Sequence, residues 1–301
     1  MIQFFDASHA TFLAGMERIA ARAQRAHQQL TTGLKMNTVS DDPAHLPVLM
    51  EVRASIDRNR QISNNLGRVK TETDAAESAL STAVSLLDNV ATLASEAQPN
   101  TQTGDTRQQI AQQVSADLEQ MIGIANTTVE GRYIFSGDSD QMQPYSLDMT
   151  QPNPVSAYNG SGSSRTVEHP DGSTFGVART AQQIFDDGDP ATNAFAAISN
   201  LRSALLNNDQ AGIDASVANL QSASRYLNAQ LSFYGTVQAR VNGAIDFAAN
   251  LQTQLETQQS QIQDADLTES ITELSQAAVQ QQAALSAEKE MPRTSLFDYL
   301  G

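Results

Sequence analysis

The stretch LGRVKTETDAAESALSTAVSLLDNVATLA, residues 66–94, decides how this chain is read. Leu66, Val69, Thr73, Ala76, Leu80, Ala83, Leu87, Val90 and Ala94 recur in it at alternating steps of three and four. Apolar residues at that interval over four heptads form the seam of a coiled coil. Leu49, Val52 and Ile56 make an earlier run offset by a few residues, as a stammer produces. Between about Val48 and Ala97 only Gly67 opposes helix, so roughly fifty residues extend over roughly 75 Å. A compact globule of this length is only about 50 Å across. The spacing therefore predicts a rod.

Working outward, a partner arm lies near the other end. Ile213, Val217, Leu220, Ser224, Leu227, Leu231, Tyr234, Gln238, Val241, Ile245, Ala248, Gln252 and Leu255 alternate steps of four and three. A shorter helix from about Asp105 to Thr128 carries Ile110, Val114, Leu118, Met121 and Ile124, with Asp105-Thr-Arg-Gln108 as its capping box. Another, about Ala191–Asn207, points Phe195, Ile198, Leu201 and Leu205 inward. The expected rod core has Leu66, Val69, Leu80, Leu87 and Val90 on the first arm, with Ile110 and Met121 beside it. On the return arm it has Leu220, Leu227, Leu231, Val241, Ile245 and Leu255.

The middle differs in kind. Tyr133, Ile134 and Phe135 are strand formers between Gly131 and Gly137, and closely spaced prolines and glycines follow as far as Pro190. Val155–Tyr158 reads as a short strand. Val167-Glu-His, Pro170-Asp-Gly172 and Ser-Thr-Phe175 read as a hairpin. The expected fold class is mainly α: a long antiparallel coiled-coil rod with a small β-rich insertion and amphipathic terminal helices. Its expected segments are 1–42, an N-terminal amphipathic stretch; 43–131, the first arms; 132–190, the insertion; 191–263, the return arm; and 264–301, a C-terminal amphipathic stretch.

Leu13, Met16, Ile19, Leu30 and Leu34 keep to one side of the first helix, opposite Arg18, Arg22 and Arg25. At the other end Asp266-Leu-Thr-Glu269 caps a helix bearing Leu267, Ile271, Leu274, Ala278 and Leu285. Pro292 ends it before Leu296, Phe297, Tyr299 and Leu300. Such Ala- and Gln-rich helices bury little alone. They either pair with each other or order only against other subunits.

Composition narrows the function. Hydrophobic residues make up 40% of the 301 and aromatics 5%, with no tryptophan, which suits thin helical layers. The net charge is −16, which weighs against nucleic acid or an anionic membrane as partner. It is uneven: residues 1–70 hold nine basic and six acidic side chains, and the rest carries the deficit. With no cysteine there are no disulfides, thiolate ligands or cysteine nucleophiles. No stretch is apolar enough for a membrane span, and the N-terminus has no secretory signal pattern.

No catalytic, metal or cofactor constellation emerges. His9, His27, His45 and His169 are scattered, and His45 near Asp41 and Asp42 reads as a capped loop rather than a metal site. Gly160-Ser-Gly162 lacks the third glycine of a dinucleotide loop, and Asp186, Asp187 and Asp189 lack calcium-loop spacing. Asn126-Thr-Thr and Asn159-Gly-Ser match the glycosylation pattern only at three residues. An enzyme is not expected, and no cofactor.

Motifs in a fixed order carry a resemblance. Leu30-Thr-Thr-Gly33-Leu-Lys35 through Ser40-Asp-Asp-Pro43 is similar to the element after the first helix of flagellin-like proteins. Glu77-Ser-Ala-Leu80 and its seam resemble the arm that follows, and Gly131-Arg-Tyr-Ile-Phe-Ser-Gly137 resembles a strand of the family's hook–filament junction members. Ser295-Leu-Phe-Asp-Tyr-Leu300 resembles their ending. The resemblance implies a non-catalytic flagellar subunit, extracellular and exported by the flagellar type III route without a cleaved signal. It implies as partners other copies in a ring, hook-associated protein 1, flagellin and an export chaperone, and neither nucleic acid nor membrane insertion. Assembly or chaperone contacts then fall on Leu13, Met16, Ile19, Leu30, Leu34, Ile271, Leu274, Leu285, Leu296, Phe297 and Leu300. Flagellin itself and a cytoplasmic coiled-coil signalling adaptor are the alternatives.

Overall fold

Long uninterrupted heptad stretches become long helices. The computed structural model describes residues 2–38, 41–99, 102–151 and 153–290, with side chains from residue 9 to residue 289 in those ranges. In chain order its helices and strands are α1 (Ile2–Thr32), α2 (Leu46–Ala97), α3 (Gly104–Ala125), β1 (Thr128–Val129), β2 (Arg132–Tyr133), β3 (Thr166–Glu168), β4 (Thr174–Gly176), α4 (Ala181–Phe185), α5 (Ala194–Leu206), α6 (Gln210–Gln263) and α7 (Leu267–Glu290). The fold is mainly α, with two small antiparallel sheets, β1–β2 and β3–β4, among the described residues. The chain divides into two compact units, Met1–Arg58 with Leu251–Gly301, and Asn59–Asn250.

In the larger unit the first arm has the rhythm read from sequence. Leu66, Ala76, Leu80, Ala83, Leu87, Val90 and Ala94 are buried, Thr73 with them, and Val69 is half-buried. Along α2 the buried positions Ile56, Asn59 and Ile62 follow at two steps of three, which is the stammer. Antiparallel pairing with α6 follows from two hydrogen bonds. Ser224 Oγ donates to Asp88 Oδ1 at 2.9 Å, and Gln238 Nε2 donates to Asp74 Oδ1 at 3.0 Å. Moving two heptads down one helix moves two heptads up the other.

The α6 seam departs from the sequence reading by one residue at every second position. Ile213, Leu220, Leu227, Tyr234, Val241 and Ala248 are buried as expected. Between them lie Ser216, Ala223, Gln230, Val237 and Ala244, not Val217, Ser224, Leu231, Gln238 and Ile245, which are half-buried. The cause is width. Apolar residues on α6 occupy a band broader than one seam; the small side chains of Ser216, Ala223 and Ala244 fit where helices approach closely, and Gln230 turns in to accept from the Arg179 guanidinium. Ser224 and Gln238, at the band's edge, carry the polar pairs to α2.

Two cores fill this unit. One joins α2, α3, α4, α5 and the first half of α6, with Ile134, Phe135 and Tyr145 inserted from the segment after β2. Phe135 packs edge-on against Phe185 and Tyr234, with ring centroids 6.1 and 6.3 Å apart. In the other, Val167, Phe175 and Val177 of the β3–β4 hairpin lie on Ile62, Leu66, Val237, Val241 and Ala244. The hairpin forms as expected, Val167 pairing with Phe175.

Three local expectations change. Strand pairing after Gly131 stops at Tyr133, because Ile134 and Phe135 turn into the aromatic core. Val155–Tyr158 makes only an isolated bridge, Leu147 to Val155. Helix α3 is capped by Thr103, whose side chain accepts from Thr106 N–H, rather than by Asp105, because Gly104 already lies in the helix. Helix α4 is an addition. Its capping box, Thr180 with Gln183, was a visible signal in the sequence.

Candidate assembly surface

The smaller unit is built on α1 and α7, which run antiparallel. Ser270 Oγ donates to Gln29 Oε1 at 3.1 Å, the Arg22 guanidinium donates to Gln280 Oε1, and His9 Nδ1 lies 3.4 Å from Glu288 Oε1. Gly33, at φ +72°, ends α1, and the segment beyond it pairs with the α6–α7 joint. Ala265 N–H donates to Gly33 O at 2.9 Å and Lys35 N–H to Gln263 O at 2.7 Å. Asp266 Oδ1 accepts from Thr268 and Glu269 N–H, which starts α7 as expected. Of the two outcomes open to the terminal helices, the described residues pair with each other.

That pairing uses small side chains. Ala26 and Ala277 are buried at it, Ser270 with them, and Ala23 and Ala284 are half-buried. On α7 the residues one position later form a second stripe, Ile271, Ala278 and Leu285, and this stripe stays exposed. Ile271 keeps 59% of its surface, Leu285 47% and Leu267 49%; Leu274, between the stripes, is half-buried. Close helix approach selects Ala and Ser for the contact, so the large residues are turned aside. On α1, Leu13 is 50% exposed, while Met16, Ile19, Leu30 and Leu34 are half-buried. Val48 and Met50 at the start of α2 are also exposed. Isolated exposed apolar residues are ordinary, but Ile271, Ala278 and Leu285 at heptad interval make a helix face that the described residues leave uncovered. Leu296, Phe297 and Leu300 lie outside the described residues.

The other candidates resolve into structure. Asp41 Oδ2 accepts from Asn37 and Thr38 N–H at 2.9 and 2.7 Å, and the hydrogen bonds from Thr38 and then Asn37 hold its carboxyl below the ordinary range. Asp42 Oδ2 bonds His45 Nδ1 at 2.7 Å, which lowers its carboxyl likewise. Both close the turn before α2. Asp186 accepts from Tyr145 Oη at 3.2 Å and from Asn193 Nδ2 at 2.6 Å, joining the core to the start of α5. Asn126 exchanges hydrogen bonds with the Tyr145 backbone. Among the described residues no three His, Cys, Asp or Glu side chains are grouped to hold a metal, and no helix is long and apolar enough to cross a membrane.

The expected rod-core residues are placed as follows. Leu66, Leu80, Leu87, Val90, Met121, Leu220, Leu227 and Val241 are buried, and Val69, Ile110, Leu231, Ile245 and Leu255 are half-buried. The Gly131–Gly137 motif has a physical account. Glu130 and Gly131, at φ +51° and +76°, make the two-residue turn joining β1 to β2. Arg132 Nη2 donates to Glu72 Oε1 at 3.1 Å, and Arg165 Nη1 lies 2.8 Å from Glu72 Oε2. One carboxylate on α2 thus anchors two parts of the inserted segment, a connection that sequence reading missed. No spacing rule links residues so far apart. Ser136 Oγ donates to Met142 O at 2.8 Å, and Gly137, at φ +63°, lies under the carbonyls of Ser161 and Ser163.

Comparison with known proteins matches the two ends of this arrangement. The bacterial flagellin N-terminal helical region matches residues 7–140, and the flagellin C-terminal helical region matches residues 217–300. The chain belongs to the flagellin family. Within the family the extent of likeness varies. The chain is 31% identical to a flagellin of Clostridium tyrobutyricum, but over 116 residues that span 38% of this chain and 31% of that flagellin. It is 24% identical to flagellar hook-associated protein 3 of Escherichia coli, over 95% of each chain. Among solved structures it shares its fold with a flagellar hook-associated protein from Vibrio parahaemolyticus. The TM-score is 0.65 at 18% identity, over 74% of this chain and all of that one. It shares it also with flagellar hook-associated protein 3 from Legionella pneumophila, with a TM-score of 0.62 at 13% identity, over 71% of this chain and 98% of that one.

Proposed function

We infer that this flagellin-family protein is a structural subunit of the bacterial flagellum at the junction between hook and filament. One observation carries the reading. The correspondence with hook-associated protein 3 of Escherichia coli runs over 95% of both proteins, whereas that with the Clostridium tyrobutyricum flagellin covers 31% of that flagellin. The role is mechanical, not catalytic. The segment 43–131 and the return arm 191–263 give stiffness through the heptad seams, and 132–190 is the outer insertion. The terminal stretches 1–42 and 264–301 join subunits. Supporting this division, Ile271 and Leu285 of α7 are large, exposed and two heptads apart on one face. The partners are other copies in a ring, hook-associated protein 1 on the hook side and flagellin on the filament side. An export chaperone covers Ile271–Leu300 before passage through the type III channel.

Electron microscopy of cells lacking the gene tests the role. The expected result is bare hooks, with filament protein still secreted into the medium. Loss of the filament protein itself would instead make this protein a filament subunit. Retention of the wild-type protein in the cytoplasm would make it a signalling adaptor.

A further inference from the structure

The sequence contains two Asn-Gly pairs, Asn159-Gly160 and Asn242-Gly243. Asn159 is exposed, in a segment without regular structure, with its backbone N–H donated to Pro144 O at 3.0 Å. Among the described residues neither the Asn159 side-chain amide nor the Gly160 N–H takes part in a hydrogen bond. Glycine at 160 is enforced by packing: a Cβ there would meet the Tyr158 hydroxyl and, at 2.8 Å, the Ser136 carbonyl oxygen. Tyr158 Oη is itself fixed, its single proton shared between Phe135 O and Ser161 O, each 3.1 Å away. The residue that fits this contact is the one that leaves the preceding asparagine least shielded. Asn242-Gly243 lies inside α6, where the Gly243 N–H belongs to the helix ladder.

We propose that Asn159 is a site of spontaneous succinimide formation in the folded protein. The Gly160 nitrogen attacks Asn159 Cγ and a new C–N bond forms. The bond from Cγ to the amide nitrogen Nδ2 breaks and ammonia leaves, carrying the proton from Gly160. Water then adds across one imide C–N bond, hydroxyl to carbon and proton to nitrogen, giving aspartate or isoaspartate. Either product adds a negative charge. Isoaspartate also inserts a methylene into the backbone between Tyr158 and Ser161, whose N–H donates to Ser136 O at 3.0 Å. The hold of this loop on the Gly131–Gly137 segment is loosened by the same step.

The full-length protein is incubated at about pH 8, folded and in urea. Asn159 and Asn242 are then followed by peptide mass spectrometry and by labelling with an isoaspartyl methyltransferase. In the folded protein Asn159 converts at least about tenfold faster than Asn242, and in urea the two rates converge. Equal rates in the folded protein would overturn the proposal. So would an intact Asn159 over the time in which the unfolded protein reacts. Asn159→Gln removes the label from that peptide; a label that persists there overturns the assignment.

Discussion

At the residue scale, glycine acts in this protein through two different physical effects. Gly131 has positive φ but open space around it, so Gly131→Ala meets only backbone strain, about 1 kcal/mol. Gly137 has positive φ and also the Ser163 carbonyl 2.7 Å from where a Cβ would stand. Gly137→Ala therefore costs at least about 3 kcal/mol, and urea midpoints of the two variants separate the effects. Asp117 supplies a pH test. Its Oδ2 is buried without a hydrogen-bond partner among the described residues, and burial raises its carboxyl above the ordinary range. The folded state thus holds the proton more tightly than the unfolded one. Stability is lost as pH rises through the unfolded carboxylate range and levels off above the raised native value. Asp117→Asn removes that loss. Its midpoint is expected to exceed wild type at pH 7, and the advantage shrinks as the medium is acidified below the carboxylate range.

At the scale of the element, the α6 seam separates two leucines four residues apart. Leu227 is fully buried and Leu231 half-buried. Leu227→Ala is expected to cost about 3 kcal/mol and Leu231→Ala about 1 kcal/mol. Leu227→Asp, an unpaired charge in the seam, costs on the order of 3–5 kcal/mol. Equal midpoints for the two alanine variants would put the seam where the four-and-three spacing first suggested. The polar pairs Asp74–Gln238 and Asp88–Ser224 complement the apolar seam. A heptad repeat alone tolerates slippage by seven residues, whereas these hydrogen bonds hold one alignment.

For the molecule as a whole, the proposed function assigns folding and assembly to different faces of the same helix. Ile271 and Leu285 are exposed, while Ser270 and Ala277 make the contact with α1. The double variant Ile271→Glu, Leu285→Glu should therefore melt within about 0.5 kcal/mol of wild type, since neither side chain is in the core. It should nevertheless fail to restore filaments to cells lacking the gene. Restored filaments would remove α7's exposed stripe from the assembly surface, and a large loss of stability would place the stripe in the core. Ala277→Glu gives the opposite contrast, because it puts a charge into the α1–α7 contact.

Periodicity, turn residues and caps by themselves determined that the protein is mainly helical, where its long helices lie, that Val167 to Phe175 form a hairpin, and that the end of α6 is followed by a capped helix. These are local properties: each depends on side-chain spacing, turn chemistry or caps within a few residues. An ordered set of motifs was enough to indicate the family. Only the tertiary structure decided which of two adjoining stripes on α6 and α7 became the contact. A broad band offers both; on α7 the small side chains make the contact, and on α6 small residues share it with Val237 and with Gln230, which accepts from Arg179. It alone joined Glu72 to Arg132 and Arg165, and turned Phe135 from a strand into the core. Those outcomes depend on residues far apart in the sequence, and their separation carries no period for a linear reading to find.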